Sequence, residues 1–515
     1  MKGKKSEIPS SWDEEFDIVV VGFGYAGGVS AIEAHDEGGK VLLIEKMPDP
    51  GGISICSGGS VRFARDTENA FQYLKATNAG TTPDDVLRTF AEGMRDLPEY
   101  IGDLAKKTKA KLTIKKAPAN YPLPGYDAFE AITIREFPDF DAAVDYPHVS
   151  GLMRADGTRL FKVIENNVAQ RGIDTRLSTE AARLITNPGG EVCGLTIRSG
   201  SREKFVKARR GLILACGGFE ADEEMKRQYW QEKPVLSAAF KGNTGDGIRM
   251  AADVGAGLWH MWHYHGSYGF KHPDPSYPYA VRLKRLPDWL PPDGARKDVK
   301  MGWIILDKTG KRYMNEYAPY VQDTGHRPMQ FYDPITQSYP RIPSRLIFDE
   351  EARKLYAIGS VTYNDRNASF NWSQDNLKEV DLGILGRADS VAELAAHNCL
   401  DEGVLQASLD QWNAFCRKGE DEDFRRPPSS MVEVKTPPFY FGEIWPVVSN
   451  TQGGPIHSAN QEILNSFGEP IPRLYAAGEL GSVFGHLYMS GGNLAECFVG
   501  GRIAGRNAAS LPAWD

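Results

Sequence analysis

The sequence predicts an α/β protein, α+β overall, in which a domain built on a parallel sheet is interrupted by an inserted α+β domain. A strand, a glycine-rich turn and a helix follow one another in residues 16–34, and related strand-and-glycine segments recur near residues 212 and 474. Residues 260–445 have a different pattern. Alternating strands and helices favour a parallel sheet covered by helices, and their return after residue 445 indicates a discontinuous domain.

Composition and charge restrict the class of protein. Of 515 residues, 41% are hydrophobic and 25% charged, which excludes collagen, a coiled coil and a disordered chain. The net charge of −8 gives no overall attraction to nucleic acid or anionic lipid. No apolar run has the length of a membrane span, and six scattered cysteines are typical of free thiols in a reducing compartment. We expect a cytoplasmic enzyme with no nucleic-acid partner and no integral membrane segment.

The first element is a buried strand that leads into a glycine-rich turn. Residues 16–21 are apolar and β-branched, residues 22–27 follow the pattern G-x-G-x-x-G, and residues 28–34 continue as a helix. A second strand over residues 40–44 ends at Glu45, an acid placed to accept hydrogen bonds from an adenosine ribose. Strand, turn, helix, strand and acid together predict a Rossmann-like dinucleotide site.

Each residue of the turn has an expected role. Gly22 permits the tight bend, Gly24 lets the backbone approach a pyrophosphate, and Gly27 lets the helix pack closely on the strand. Tyr25 and Ala26 belong to the same site, because the free N–H groups at a helix N-terminus face the phosphates.

A second glycine- and serine-rich loop follows Glu45 and is suited to hold a long cofactor through backbone N–H groups. Its pattern, acid-Lys-x(4)-GG-x-S-x-x-SGG, resembles the FAD loop of the fumarate reductase/succinate dehydrogenase flavoprotein superfamily. The residues that carry this resemblance are Glu45, Lys46, Gly51, Gly52, Ser54, Ser57, Gly58 and Gly59. The resemblance implies FAD. Members that attach FAD covalently carry a His in this loop, and this loop has none, so we expect non-covalent FAD.

The resemblance extends through most of the chain and implies further contacts with FAD. Residues 178–218 resemble the middle FAD segment, in which Ala181 touches the adenine through its backbone. Residues 242–248 begin a helix that approaches the flavin. In residues 474–496, Glu479 would bind the ribityl chain, and the last helix would direct its N-terminus at the flavin N1/O2 edge. The residues assigned to FAD on this basis are Ala181, Ala215, Gly217, Asn243, Asp246, Gly478, Glu479, Asn493 and Leu494.

The inserted stretch differs from the FAD segments. Residues 269–297 are rich in proline and predict irregular structure, whereas residues 390–399 and 402–416 predict helices. We therefore predict a discontinuous FAD-binding domain over residues 1–262 and 445–515, and a capping, catalytic domain over residues 263–444.

The substrate residues depart from those of dicarboxylate reductases, which hold carboxylates with Arg and His. Residues 312–320 resemble the segment that carries the family's proton-donating Arg, and Tyr320 stands in its place. The His expected before the turn at residues 451–454 is missing, and residues 486–490 lack the Arg expected near the last helix. These losses remove a carboxylate clamp and disfavour fumarate or succinate as substrate.

The remaining residues resemble those of 3-ketosteroid dehydrogenases, which oxidise a C–C bond beside a ketone. Tyr488 and Gly492 have the spacing of the carbonyl-binding pair in Δ1-dehydrogenases. Tyr488-x-Ser490, taken with Tyr320, is closer to the Δ4-(5α)-dehydrogenases, and introduction of a C4–C5 double bond is the leading prediction. The expected partners are an apolar ketone, a steroid in this interpretation, and an unidentified electron acceptor.

The chemistry assigns a role to each of these residues. Tyr488 O–H and the Gly492 N–H would form an oxyanion hole for the developing enolate. Ser490 would take the C4 proton with Tyr320 as its relay, and the C5 hydride would pass to FAD N5.

Other interpretations stay open. They are a Δ1-dehydrogenase, a reductase of a fumarate- or urocanate-like enoate, and a flavoprotein that only transfers electrons. The structural alternatives are a helix-capping role for Ser490 and a core position for Tyr320. We predict no metal site, and we interpret His260, His263 and His265 as pocket wall or core, because no acid or Cys stands in ligand spacing.

Two further tyrosines, Tyr121 and Tyr126, lie in a stretch rich in proline and glycine. Such a stretch favours a surface loop over a pocket wall.

Overall fold

The structure is a computed structural model that describes residues 8–151, 154–284, 299–317 and 320–514. Its helices are α1 (Tyr25–Asp36), α2 (Thr67–Asn78), α3 (Asp84–Arg95), α4 (Leu97–Lys107), α5 (Ala142–Asp145), α6 (Arg154–Gln170), α7 (Glu223–Tyr229), α8 (Asp246–Asp253), α9 (Val321–Thr324), α10 (Glu350–Arg353), α11 (Lys378–Asp381), α12 (Val391–Asn398), α13 (Glu402–Lys418) and α14 (Gly492–Ser510).

Strands are distributed along the whole described chain. They are β1 (Glu14–Val21), β2 (Val41–Ile44), β3 (Ser60–Ala64), β4 (Lys111–Lys116), β5 (Phe129–Glu136), β6 (Val149–Ser150), β7 (Asp174–Arg176), β8 (Glu180–Thr186), β9 (Val192–Ser199), β10 (Arg202–Leu214), β11 (Leu236–Ser237), β12 (Leu258–Trp259), β13 (Tyr264–Phe270), β14 (Val281–Leu283), β15 (Ile304–Leu306), β16 (Ser344–Phe348), β17 (Gly359–Ser360), β18 (Tyr363–Asn364), β19 (Gly386–Ala388), β20 (Phe439–Thr451), β21 (Gly454–Pro455), β22 (Glu462–Leu464) and β23 (Pro470–Ala476).

The first large sheet has the strand order β22-β23-β10-β1-β2-β7, and β8 and β9 extend it from β10. Strand β1 is parallel to both β2 and β10, so that Val19 lies opposite Leu42 and Leu212. All three side chains are fully buried, as expected for a parallel sheet covered on both faces. The predicted α/β fold class is confirmed by this sheet.

Helices α1 and α14 pack against each other beside this sheet. A methyl group on Gly501 would lie 2.9 Å from the carbonyl oxygen of Ala26, and one on Gly505 would lie 2.7 Å from that of Ser30. The helices therefore approach closely along a stripe of small residues.

The second large sheet has the order β15-β16-β20-β13-β14-β17 and is built mainly from antiparallel pairs. Strand β20 crosses residue 445, so this sheet takes in residues from both sides of the predicted boundary. The proline-rich segment predicted to be irregular contains the strand Val281–Leu283, and its residues 285–297 lie outside the described chain. Helices α12 and α13 agree with the predicted ones within two residues at each end.

A small sheet of order β3-β5-β4 lies beyond the second glycine loop. The connection from β4 to β5 carries Tyr121, which is 8% exposed. The expectation of a surface position is wrong for this residue, because its hydroxyl enters a buried hydrogen-bond network described below.

None of the described helices combines the length and the apolar composition that crossing a bilayer requires. The six cysteines form no disulfide with one another, and Cys399 is exposed while the others are buried or half-buried.

Candidate active site

A cavity of about 1920 Å³, counted with its open mouth, lies at the carboxyl ends of the first sheet's parallel strands. Val21 and Ile44 end β1 and β2, Ala215 and Ala477 directly follow β10 and β23, and all four line the cavity. This edge of an open parallel sheet is where α/β proteins bind their ligands.

The turn between β1 and α1 forms one part of the wall. Gly22 has φ +101°, and a methyl group there would lie 2.5 Å from the carbonyl oxygen of Ala215. A methyl group on Gly27 would lie 1.7 Å from the carbonyl oxygen of Gly22. Gly24 lines the cavity and precedes α1 without a side-chain cap of its own, and the Tyr25 N–H makes a long hydrogen bond of 3.4 Å to Ser54 Oγ. The start of this helix is suited to bind an anion.

The end of β2 forms the adjoining part of the wall. Both oxygens of Glu45 accept backbone hydrogen bonds, from the N–H of Phe23 at 2.9 Å and from that of Met47 at 2.8 Å. Burial raises the pKa of this carboxyl group above its usual value. The Lys46 ammonium donates to Thr244 Oγ1 at 2.6 Å and to Asp246 Oδ2 at 2.5 Å, which ties the start of α8 to this end of the cavity.

A buried cluster of acids and amides forms the middle of the wall. Asn243 Nδ2 donates to Glu220 Oε1 at 2.7 Å and to Glu479 Oε2 at 3.2 Å, and the Thr451 N–H donates to Glu479 Oε1 at 3.0 Å. Burial raises the pKa of Glu479 to about 7. Burial, together with the charge of Glu479, raises the pKa of Glu220 well above its usual value. Asn493 lies on the same wall, and its buried Oδ1 accepts no hydrogen bond from the described protein.

Most residues assigned to FAD from the sequence line this cavity. They are Gly22, Gly24, Ala26, Glu45, Lys46, Gly52, Ser54, Ser57, Gly58, Ala181, Ala215, Gly217, Asn243, Asp246, Glu479, Asn493 and Leu494. The cavity lining does not include Tyr25, Gly27, Gly51, Gly59 and Gly478. The Tyr25 ring belongs to the core, where its hydroxyl donates to the Gly157 carbonyl at 2.8 Å.

Three tyrosines meet at the other end of the cavity. Tyr320 and Tyr488 line it, with ring centroids 6.4 Å apart, and Tyr121 meets Tyr320 edge-on at 6.2 Å. All three are at least 90% buried. The Tyr488 oxygen accepts the Gly491 N–H at 3.1 Å, which leaves the hydroxyl proton available to a ligand. Burial raises the pKa of Tyr488 well above its usual value, so this hydroxyl is a donor at neutral pH.

A buried carboxylate, Asp323 of α9, connects these tyrosines. Its Oδ2 accepts the Tyr121 hydroxyl at 2.6 Å and the Tyr488 N–H at 3.0 Å. His265 Nδ1 lies 3.5 Å from Asp323 Oδ1, and the His265 ring lies 4.2 Å from that of Tyr488. Burial raises the pKa of Asp323, but the hydrogen bond and charge of His265 outweigh it, so the net pKa is below the usual value.

Gly492 differs from its predicted role. It does not line the cavity, and its N–H donates to the Met489 carbonyl at 2.7 Å in the turn that starts α14. This N–H is therefore not presented to a ligand in this structure. The cavity is lined instead by Gly491, whose own N–H is used by Tyr488.

Ser490 lines the cavity, as a reacting group must. Helix α14 begins after Gly491 without a side-chain cap, so the capping alternative for Ser490 does not hold. The Ser490 backbone is fixed on both sides, since its N–H donates to Asn120 Oδ1 at 2.9 Å and its carbonyl accepts from the Arg62 guanidinium.

The sequence reasoning missed several residues of this wall. Asp323 stands three residues after Tyr320, a helical spacing that offered a signal, whereas Glu220 had none. His265 lies on the cavity wall, one of the two positions expected of it. Arg282 also brings a guanidinium to the wall, where it donates to Ser449 Oγ at 2.6 Å. Within the described chain, no group of three or more His, Cys, Asp or Glu side chains is arranged to hold a metal ion.

The chain matches the family described as FAD binding domain over residues 17–494. It is 28% identical to a 3-oxosteroid 1-dehydrogenase of Mycobacterium tuberculosis, over 96% of this chain and 98% of that protein.

Two solved structures have a similar fold. One is 3-ketosteroid Δ1-dehydrogenase from Sterolibacterium denitrificans, with a TM-score of 0.80 and 22% identity over 96% of this chain and 100% of that one. The other is 3-ketosteroid Δ4-(5α)-dehydrogenase from Rhodococcus jostii, with a TM-score of 0.67 and 22% identity over 97% of this chain and 98% of that one. The predicted resemblance to flavoproteins of this superfamily is confirmed.

The residues of the cavity fit FAD, and the prediction of this cofactor is confirmed. The uncapped start of α1 suits a pyrophosphate, and the unpartnered Asn493 Oδ1 suits a donor from the ribityl chain or the flavin ring. FAD supplies a hydride acceptor when it is bound. The absence of a linking His in the loop remains the basis for predicting non-covalent attachment.

Proposed function

The chain belongs to the FAD binding domain family, and we propose that this flavin-dependent oxidoreductase is a 3-ketosteroid dehydrogenase. One observation carries the proposal: three buried tyrosines, Tyr121, Tyr320 and Tyr488, gather at one end of the cavity that fits FAD. A tyrosine offers an apolar ring to a steroid face and one polar tip to its ketone.

The proposed reaction removes two hydrogens from a C–C bond beside the ketone. The α carbon would lose a proton and the β carbon a hydride, for which FAD would supply the acceptor, so the substrate would be oxidised by two electrons. The Tyr488 O–H donates to the ketone oxygen as negative charge develops there. Burial among aromatic rings excludes water from the enolate.

The position of the new double bond is the finer part of the proposal. Similarity along nearly the full length of the Mycobacterium tuberculosis 3-oxosteroid 1-dehydrogenase favours the C1–C2 bond. The position of Ser490 on the cavity wall favours the C4–C5 bond predicted from sequence, with Ser490 taking the C4 proton and Tyr320 relaying it. Both products arise from loss of a proton α to C3 and a hydride β to it.

The test uses the purified yellow holoenzyme. A saturated 3-ketosteroid is added anaerobically, bleaching of the flavin is followed, and the double bond of the product is located by NMR after turnover with an artificial electron acceptor. We expect bleaching and one regioisomer in excess. Absence of bleaching with 5α- and 5β-reduced 3-ketosteroids alike would contradict the proposal.

A second candidate function is reduction of an enoate, and Arg282 is the observation that favours it. A guanidinium on the cavity wall suits a carboxylate. Reoxidation of the chemically reduced flavin by fumarate or urocanate, but not by an unsaturated 3-ketosteroid, would select this function.

A further inference from the structure

The proposed reaction requires a group that holds the proton removed from the substrate α carbon. Ser490, Tyr320 and Tyr488 line the cavity, and Tyr121 meets Tyr320 edge-on from outside the lining. A hydroxyl can relay a proton, but it is a poor place to hold one at neutral pH. Burial raises the pKa of both Tyr121 and Tyr488 further.

His265 differs from the other histidines near this end of the cavity. His263 Nδ1 faces the Phe484 carbonyl at 2.8 Å, and His326 Nδ1 faces the Gly266 carbonyl at 2.9 Å. Burial lowers the pKa of each to about 3, so both are neutral. Of the three, His265 alone both lines the cavity and faces a carboxylate, that of Asp323.

Asp323 is fully buried at the centre of this arrangement. Hydrogen bonds from Tyr121 and Tyr488 hold Oδ2, which leaves Oδ1 directed toward His265. A buried carboxylate behind a histidine fixes the ring and stabilises its protonated form, as in other base-and-orienter pairs.

On this geometry, and resting on the proposed function, we propose that His265 receives and holds the proton removed from the substrate α carbon, with Asp323 as its positioning residue. The α C–H bond breaks, its electron pair forms the new C=C bond as the β hydride leaves for FAD, and the proton ends on the imidazole. The imidazolium then returns the proton to water.

Several ionisable groups surround this pair. Tyr320 and Tyr488 lie beside the His265 ring, and the Tyr121 hydroxyl donates to Asp323. Arg327 acts on Asp323 through its positive charge, whereas His263 is neutral. His326 packs behind, stacked on Tyr264 at 4.0 Å. A protonated His265 therefore meets one buried negative charge, Asp323, and one nearby cation, Arg327.

The test compares His265→Asn with His326→Asn in the FAD holoenzyme. Each substitution removes one buried imidazole and keeps a nitrogen donor near the Nδ1 position. The rate of flavin bleaching by a 3-ketosteroid is measured from about pH 5 to about pH 9, across the range in which histidine titrates. In the wild type we expect the rate to fall at acid pH, because a protonated His265 accepts no proton.

We expect His265→Asn to reduce the bleaching rate by about 100-fold or more and to abolish the decrease of the rate at acid pH, which we call the acid limb. His326→Asn should keep the wild-type rate and the acid limb. Asp323→Asn should move the acid limb to lower pH by about one unit or more, because the imidazolium loses its counter-charge. The inference would be overturned if His265→Asn kept the wild-type bleaching rate and its fall at acid pH. It would also be overturned if His326→Asn lost as much of the bleaching rate as His265→Asn.

A second measurement does not depend on turnover. A steroid with a phenolic A ring mimics the enolate, and its absorbance reports whether it binds as phenol or phenolate. We expect phenolate in the wild type and in His326→Asn, and phenol in His265→Asn. Phenolate in all three enzymes would overturn the inference. If no 3-ketosteroid bleaches the wild-type flavin, the proposed function is wrong. If the wild-type flavin is bleached and His265→Asn has the same pH profile of the bleaching rate, only the inference about His265 is wrong.

Discussion

The two ends of the cavity are built in different ways. The dinucleotide end comes mainly from two neighbouring stretches of chain, residues 22–27 and 45–58, and its key groups are backbone N–H groups and glycines. The reaction end brings together side chains from four distant segments, at Tyr121, His265, residues 320–323 and residues 488–490. Binding of the common cofactor therefore depends on local chain geometry, whereas the chemistry depends on long-range packing.

The largest effect on turnover is expected from Tyr488→Phe. The substitution removes the donor to the ketone and should reduce the bleaching rate by about 100- to 1000-fold, as the loss of an oxyanion-hole donor does elsewhere. FAD content should stay at the wild-type value, because the ring remains packed against His265 and Phe484. The thermal midpoint should fall slightly, because the Gly491 N–H loses its acceptor. Tyr229→Phe, at an exposed site on α7, is the control. Loss of FAD from Tyr488→Phe would show that the two ends are not separable.

Gly27→Ala should act at the dinucleotide end. The new methyl group has no space beside the Gly22 carbonyl, so the turn must shift, at a cost of about 1–3 kcal/mol of unfolding free energy and with loss of bound FAD. Gly102→Ala in α4 is the matched control, because its methyl group makes only an ordinary contact with Leu112 at 3.6 Å. The FAD-to-protein ratio and denaturant unfolding report both. An FAD-replete Gly27→Ala enzyme would contradict the assigned role of this turn.

Ser490→Ala should have an intermediate effect on chemistry and none on folding. Since Ser490 does not cap α14, the thermal midpoint should not change. If Ser490 transfers the C4 proton, the rate falls by about 10-fold or more. A wild-type rate together with a C1–C2 double bond in the product would show that Ser490 takes no part in the reaction and would leave Tyr320 and Tyr488 as the tyrosines that line the cavity.

The smallest effect concerns pH and stability. Glu496, the fifth residue of α14, accepts the Val483 N–H at 2.6 Å, and burial raises its pKa to about 8. The folded protein thus binds this proton more tightly than the unfolded chain does, and this contribution to stability is lost as pH rises from the unfolded pKa toward 8. Glu496→Gln should flatten that decline, and its thermal midpoint at pH 8 should exceed the wild-type value by about 2 °C or more. Parallel declines in both proteins would contradict the assignment.

The same contrast explains what could be predicted from the sequence. The dinucleotide turn was predictable because Gly22, Gly24, Gly27 and Glu45 have fixed spacings that follow from the local geometry of one strand, one helix and the next strand. The first sheet and the last helix were predictable for a similar reason, since apolar β-branched runs and glycine turns are local signals.

The reaction end was predictable only in part. Tyr320 and Tyr488 were found as departures from a known pattern, but their proximity to Tyr121 and Asp323 depends on how separate elements pack. Tyr121 was expected at the surface because its surroundings are rich in proline, and no local signal reports a hydrogen bond to a residue about 200 positions away. The partner of the Gly492 N–H likewise depends on the turn into α14, where this N–H donates to the Met489 carbonyl.

The contact between α1 and α14 has a mechanical consequence. Helix α1 starts at the phosphate-binding turn and α14 starts beside Tyr488, and glycines at 501 and 505 hold the two helices almost backbone to backbone. Large side chains usually separate packed helices, whereas at Gly501 and Gly505 there is no room even for a methyl group beside the facing backbone. The close contact of the two helices therefore fixes the distance between the turn at the start of α1 and Tyr488, the proposed donor to the ketone. A shift of one helix would move the other with it, so in the proposed reaction the hydride donor and its acceptor would keep their separation.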